Sequence, residues 1–142
     1  MKKTHIIILW TLLIGLALQS CNNTTNDPAP TGTTTNANLL NTWKVSQVLE
    51  VGADVTTAYT SYRITFAEAN GQQTFNLTTR TGTTQTGTWA LSTDQTTLTL
   101  TLADGTSLTF SGVNISASEL KYTSSEAGKT GSVSVNFTLI PA

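Results

Sequence analysis

Thr97, Thr99 and Thr101 alternate with Leu98, Leu100 and Leu102. A strict period of two puts the leucines on one face of an extended strand and the threonines on the other. A helix, with its period of 3.6, would scatter them around its circumference. Threonine suits the outer position: its β-branch packs on a pleated surface and its hydroxyl meets water without carrying charge. The same texture recurs from Leu39 onward. Trp43 and Val45 start a first strand, and Gln47 and Leu49 are expected to share their face. Tyr62, Ile64 and Phe66 alternate with Arg63 and Thr65. Phe75 and Leu77 mark a third strand, Trp89 and Leu91 a fourth, and Leu108 and Phe110 follow the Thr/Leu strand. Ile115, Leu120 and Tyr122 are expected to form a seventh run, bent around residues 116–118. Val133, Val135, Phe137 and Leu139 make the last.

Turn signals separate these runs. Asn70-Gly71 and Asp104-Gly105 are hairpin dipeptides, and residues 52–54, 82–85, 93–95 and 127–129 are expected connections. Consecutive hairpins make neighbours in sequence neighbours in space. The expected fold is therefore all-β: an antiparallel meander of about eight strands closed into a small barrel, because closure removes exposed edges. A two-sheet β-sandwich is the alternative left open by the pattern.

The chain before Leu39 has a different character. Lys2 and Lys3 precede an apolar run over residues 6–18. The run fits a secretory signal and falls short of the roughly 20 residues of a comfortable membrane span. It ends Leu18-Gln19-Ser20-Cys21, which resembles a lipobox, with Gln19 departing from the usual small or apolar residue. Cys21 is the chain's one cysteine. The expectation is cleavage before Cys21, a lipid on its sulfur, and a mature protein with no internal disulfide. Residues 22–38 hold mostly Asn, Thr, Pro, Gly and Ala, a composition for a flexible spacer. The expected organisation is a signal segment over 1–20, lipidated Cys21 with spacer over 21–38, and the barrel over 39–142. Asn22-Asn23-Thr24-Thr25 does not resemble an acidic surface-export signal, so the outer membrane facing the periplasm is the expected address.

The opening Leu39-Leu40-Asn41-Thr42-Trp43-Lys44-Val45 resembles the start of the lipocalin-like domains of Bacteroidota-type lipoproteins, where Gly-x-Trp begins the first strand. Asn41 stands here for the glycine. Gly87-Thr88-Trp89-Ala90-Leu91, followed by Asp94, Leu98 and Leu100, is similar to a second recurrent pattern of that family, and Phe137-Thr138-Leu139-Ile140-Pro141 to its ending. The resemblance covers nearly all of residues 39–141. It implies a small barrel with a cavity for an apolar ligand and no uniform activity.

Catalytic signatures are scarce. The one histidine, His5, lies in the signal segment, which removes a Ser-His-Asp triad and a histidine metal site from the mature chain. No Asp-x-Asp calcium loop or phosphate-cradling glycine loop occurs. Asp54, Glu68, Asp94, Asp104 and Glu126 are expected in turns as solvated carboxylates, with Glu50 and Glu119 near strand ends. Acidic residues outnumber basic ones after residue 21, and no basic cluster marks a nucleic-acid surface. No cofactor is expected, and a monomer is.

The aromatic residues carry the binding expectation. Tyr62, Phe66, Phe75, Trp89, Phe110 and Tyr122 fall on the apolar face and are the candidate ligand-binding set. Tyr62 and Tyr122 lead it because each brings a hydroxyl that wants a partner. Trp43 is expected to plug one barrel end. Arg80 could supply an ionic contact, whereas the phase of Arg63 puts it outside. The expected function is a non-catalytic, lipid-anchored module binding a small apolar ligand. The alternative is a structural module whose Thr-rich outer face contacts an envelope protein or polysaccharide.

Overall fold

The computed structural model describes residues 36–128 and 131–142. The signal segment, Cys21, most of the spacer, and Lys129 lie outside the described residues. Nine strands run in chain order: β1 (Thr42–Glu50), β2 (Ala53–Asp54), β3 (Arg63–Ala69), β4 (Gln72–Thr78), β5 (Thr84–Leu91), β6 (Thr97–Leu102), β7 (Ser107–Ile115), β8 (Leu120–Gly128) and β9 (Gly131–Pro141). A short 3-10 helix, Thr56–Tyr59, lies between β2 and β3. From β3 to β9 each strand pairs antiparallel with its sequence neighbour, and β1 pairs with both β3 and β9. That last pairing closes an eight-stranded barrel; β2 is a two-residue extension hydrogen-bonded to the end of β1. The barrel rather than the sandwich is the fold.

Alternation places the core. Ile64, Phe66, Phe75, Leu77, Trp89, Leu91, Leu98, Leu100, Phe110, Leu120, Tyr122, Val135, Phe137 and Leu139 all point inward and are buried. An eight-stranded barrel has an interior just wide enough for side chains to fill. At Gly87 the wall comes so close that a Cβ there would lie 2.0 Å from the Thr101 carbonyl oxygen. Only glycine lets β5 approach β6 in this way.

Two bulges correct the expected phase. In β1, Val45 faces Leu139 and Gln47 faces Thr138, so Ser46 is an extra residue. Beyond it the inward position falls to Val48, which is fully buried, while Gln47 is exposed and Leu49 faces away. In β7 a second bulge lies between Ser111 and Asn114, with Gly112 at φ +60°. Past this bulge Val113 and Ile115 return to the interior. Ile115 therefore ends β7 rather than joining Leu120 and Tyr122, and residues 116–119 reverse the chain. Ser116 holds that reversal by accepting from the Glu119 amide at 3.0 Å.

The two ends of the barrel differ. Asn36 donates to the Gln95 side chain at 2.6 Å, in the β5–β6 connection, and Leu39 behind it is fully buried. The Trp43 indole donates to the Leu39 carbonyl at 3.0 Å. Trp89 packs edge-on to Phe66, with centroids 5.9 Å apart. This end, where the described chain enters and leaves, is filled. The opposite end carries the β4–β5, β6–β7 and β8–β9 connections and the 3-10 helix.

Candidate functional site

A cavity of about 370 Å³ opens at that opposite end. Its walls follow from the strand phase. Inward positions carry Leu108 and Phe110 near the start of β7, Phe137 midway along β9, and Leu77 towards the end of β4. Continuing the period of two along β8 past Leu120 and Tyr122 brings Ser124 and Glu126 inward, and along β5 it brings Gln85. Residues 79–83 form the tight turn at the rim, with Gly82 at φ +84° and the Thr79 amide donating to the Thr83 carbonyl at 2.8 Å. The cavity thus has an apolar floor and a polar mouth, the usual division of labour in a small-molecule site.

The floor is a column of rings. Phe110 stacks on Tyr122 with centroids 4.3 Å apart, and Tyr122 stacks on Phe137 at 5.0 Å. Tyr62 tilts against Phe137 at 5.1 Å, and Tyr59 meets Phe137 edge-on at 5.3 Å. The Tyr62 and Tyr122 hydroxyls share a 2.7 Å hydrogen bond. Burial pushes both phenols well above their ordinary pKa, so they remain neutral donors and acceptors.

The mouth holds the charges. The Tyr59 hydroxyl donates to Glu126 Oε2 at 2.9 Å. Burial, then the hydrogen bond and charge of Glu126, push the Tyr59 pKa up to about 12. The Arg80 guanidinium sits over the Tyr59 ring, 5.4 Å from its centroid, with Nη1 3.9 Å from Glu126 Oε2. Glu126 is therefore no solvated turn residue: it lies in β8, half-buried, against two partners.

The candidate set divides. Tyr62 and Phe110 line the cavity, and Tyr122 backs its floor. Phe66 and Trp89 pack at the filled end, with the Trp89 indole donating to the Ala67 carbonyl at 3.2 Å. Phe75 is buried opposite Gly87, away from the cavity. Trp43 sits fully buried at the filled end, and Arg63 is exposed. Sequence reasoning passed over Tyr59, which lies in the 3-10 helix where no alternation flags it. It also passed over Gln85 and Ser124, polar residues at inward positions.

The other carboxylates behave differently. Asp54, Asp94 and Asp104 accept hydrogen bonds from the amides two residues on, those of Thr56, Thr96 and Thr106. The Thr56 hydroxyl and then its amide hold the Asp54 carboxyl below the usual range, the Ser92 hydroxyl and then the Thr96 amide do so for Asp94, and the Thr106 amide leads for Asp104. The three carboxylates are clamps on tight loops. Asp54 and Glu68 lie in strands β2 and β3 rather than in turns. Glu126 is the one carboxylate among the described residues lining the cavity, where glycosidic acid–base chemistry uses two. No group of three His, Cys, Asp or Glu that could hold a metal occurs among the described residues.

No curated protein matches the chain. The lipocalin-like domain family matches residues 39–122, from the buried Leu39 at the filled end to Tyr122 beneath the cavity floor. Together with the closed antiparallel barrel, that match over more than half of the sequence makes this chain a member of the lipocalin-like domain family.

Proposed function

We propose that the protein is a non-catalytic binding module that holds a small, largely apolar ligand in the open end of its barrel. The observation that carries this reading is the cavity of about 370 Å³ floored by Tyr62, Phe110 and Phe137, in a barrel whose opposite end is packed by Leu39, Trp43, Phe66 and Trp89. Its size lies within the roughly 300–1,000 Å³ of small-molecule sites. Tyr62, Phe110, Leu108 and Phe137 supply apolar contact, and the hydroxyls and amides of the rim orient the ligand's polar end.

In the same reading the signal segment is removed, Cys21 carries the lipid, and the spacer holds the barrel at the outer membrane on its periplasmic side. The lipobox-like residues 18–21 and the composition of residues 22–38 support that address.

The neutral fluorophore N-phenyl-1-naphthylamine tests the cavity. It is expected to brighten and shift to the blue on binding, and Leu108→Trp is expected to abolish the change by filling the cavity while the barrel stays folded. Unchanged fluorescence with the wild-type protein, or equal binding by Leu108→Trp, would refute the reading. For the address, Cys21→Ala is expected to move the protein out of the membrane fraction; retention after a high-salt wash with unchanged lipid labelling would overturn it.

A further inference from the structure

The cavity mouth already contains a cation. The Arg80 guanidinium lies over the face of Tyr59 and beside Glu126, an aromatic face and a carboxylate together. An aromatic face attracts positive charge through the ring quadrupole, and more strongly as the pair loses water. Arg80 makes poor use of this setting. Its side chain is 48% exposed, and its 3.9 Å approach to Glu126 is too long for a hydrogen bond. Glu126 is instead fixed by the Tyr59 hydroxyl at 2.9 Å, so the carboxylate stays aimed whether or not Arg80 is there. Below the reach of Arg80 lie further aromatic side chains, those of Tyr62, Phe137 and Phe110, shielded from solvent.

The charge balance runs the same way. Arg80 is the one cation among the described residues lining the cavity. Against it stands Glu126, whose charge reaches the Tyr62 and Tyr122 hydroxyls, and Glu50 at the end of β1, whose charge reaches Tyr59. A ligand carboxylate brought to Arg80 would face Glu126.

We propose that the mouth is a site for a small organic cation, an ammonium on a ring-sized apolar body, and that the Arg80 guanidinium is an internal stand-in which the ligand displaces. This rests on the reading of the cavity as the ligand site. The ammonium takes the place of the guanidinium over the Tyr59 ring and beside Glu126, and the apolar body covers the aromatic side chains below. Arg80 swings outward on the 79–83 turn, losing a contact that, being exposed and long, costs little to break.

Three probes of matched size test it by NMR titration: phenyltrimethylammonium, its neutral isostere tert-butylbenzene, and phenylacetate. Arg80→Ala is expected to tighten the ammonium about fivefold by removing its competitor, and Glu126→Gln to weaken it about fivefold, with tert-butylbenzene within about twofold in both. Arg80 sits in an exposed turn, so its variant keeps the fold. If Arg80→Ala leaves the ammonium unchanged or weakens it, the stand-in idea fails. If phenylacetate binds the wild type and loses about fivefold in Arg80→Ala, Arg80 is an anion anchor and the proposal is wrong. If tert-butylbenzene alone binds, the cavity stands as a ligand site and the cation preference falls. If none of the three shifts the Tyr62, Phe110 or Phe137 resonances, the ligand-site reading falls with it.

Discussion

The Tyr62–Tyr122 hydroxyl pair offers a test of the barrel's energetics at the cavity floor. Each hydroxyl is the other's partner at 2.7 Å, with 7% of Tyr62 and 2% of Tyr122 exposed. Removing one oxygen strands the other, and an unsatisfied buried polar group costs about 1–3 kcal/mol. The two stranded groups are not equivalent. Tyr62→Phe leaves the deeper Tyr122 hydroxyl without a bond, for an expected loss of about 2 kcal/mol. Tyr122→Phe leaves the Tyr62 hydroxyl beside the cavity, where water can reach it, for an expected loss of about 1 kcal/mol. Removing both oxygens strands nothing, and the rings keep their stacking on Phe110 and Phe137; the double variant is expected within about 1 kcal/mol of wild type. The coupling between the two sites is then about 2–3 kcal/mol. Urea denaturation followed by tryptophan fluorescence measures all four corners of the cycle. Losses that simply add, with the double variant worse than either single one, would refute the pairing argument. A Tyr122→Phe loss larger than that of Tyr62→Phe would refute the asymmetry.

Three further outcomes follow from the packing. All three tyrosines have raised pKa values, burial being the first cause for each, so the native state keeps its phenolic protons to higher pH than the unfolded chain. The stability this contributes is complete below the unfolded value of about 10 and lost as pH climbs through the raised native values. Native protein is therefore expected to show almost no phenolate absorbance at pH 10; a half-developed phenolate band in folded protein there would contradict it. Gly87→Ala, whose Cβ would meet the Thr101 carbonyl oxygen at 2.0 Å, is expected to cost about 3 kcal/mol or prevent folding. Gly82→Ala, with open space but φ +84°, is expected to cost only about 1–2 kcal/mol, and equal denaturation midpoints would undo that contrast. Leu39→Ala is expected to lose about 2–4 kcal/mol and the neighbouring Leu40→Ala, which is exposed, under about 0.5 kcal/mol; similar values would mean that the filled end is not sealed as described.

Much of this architecture could be read from residue order. The alternation of Leu98, Leu100 and Leu102 with threonines, and the hairpin dipeptides at Gly71 and Gly105, suffice for a meander of about eight strands, and closure follows from hydrogen bonding at its edges. The phase of individual strands was harder. Ser46 and Gly112 each insert one residue, and nothing local marks Ser46 as the extra one; the shift shows only in the pairing of β1 with β9. Half of the candidate site was visible for the same reason that the core was: Tyr62, Phe110 and Tyr122 are apolar-bodied residues on inward positions. The other half was hidden by its polarity. Gln85, Ser124 and Glu126 obey the same period of two, but a polar side chain near a strand end reads as the approach to a turn unless the barrel is known to be hollow there. Tyr59 gave no signal because a 3-10 turn has too few residues to show a period.

The hydrogen bond from Asn36 to Gln95 and the burial of Leu39 behind it have a consequence for traffic. They make the filled end the stem of the molecule, and the cavity the rim of a cup set upside down to its handle. A chain tethered through residues before Asn36 presents its opening away from its point of attachment. Under the proposed anchoring through Cys21, the ligand's road leads from the aqueous side, by diffusion or by transfer from a facing molecule, rather than sideways out of a bilayer at the stem. Gripping the molecule by its stem leaves the cavity end free, with the β4–β5 turn and Arg80 at its rim.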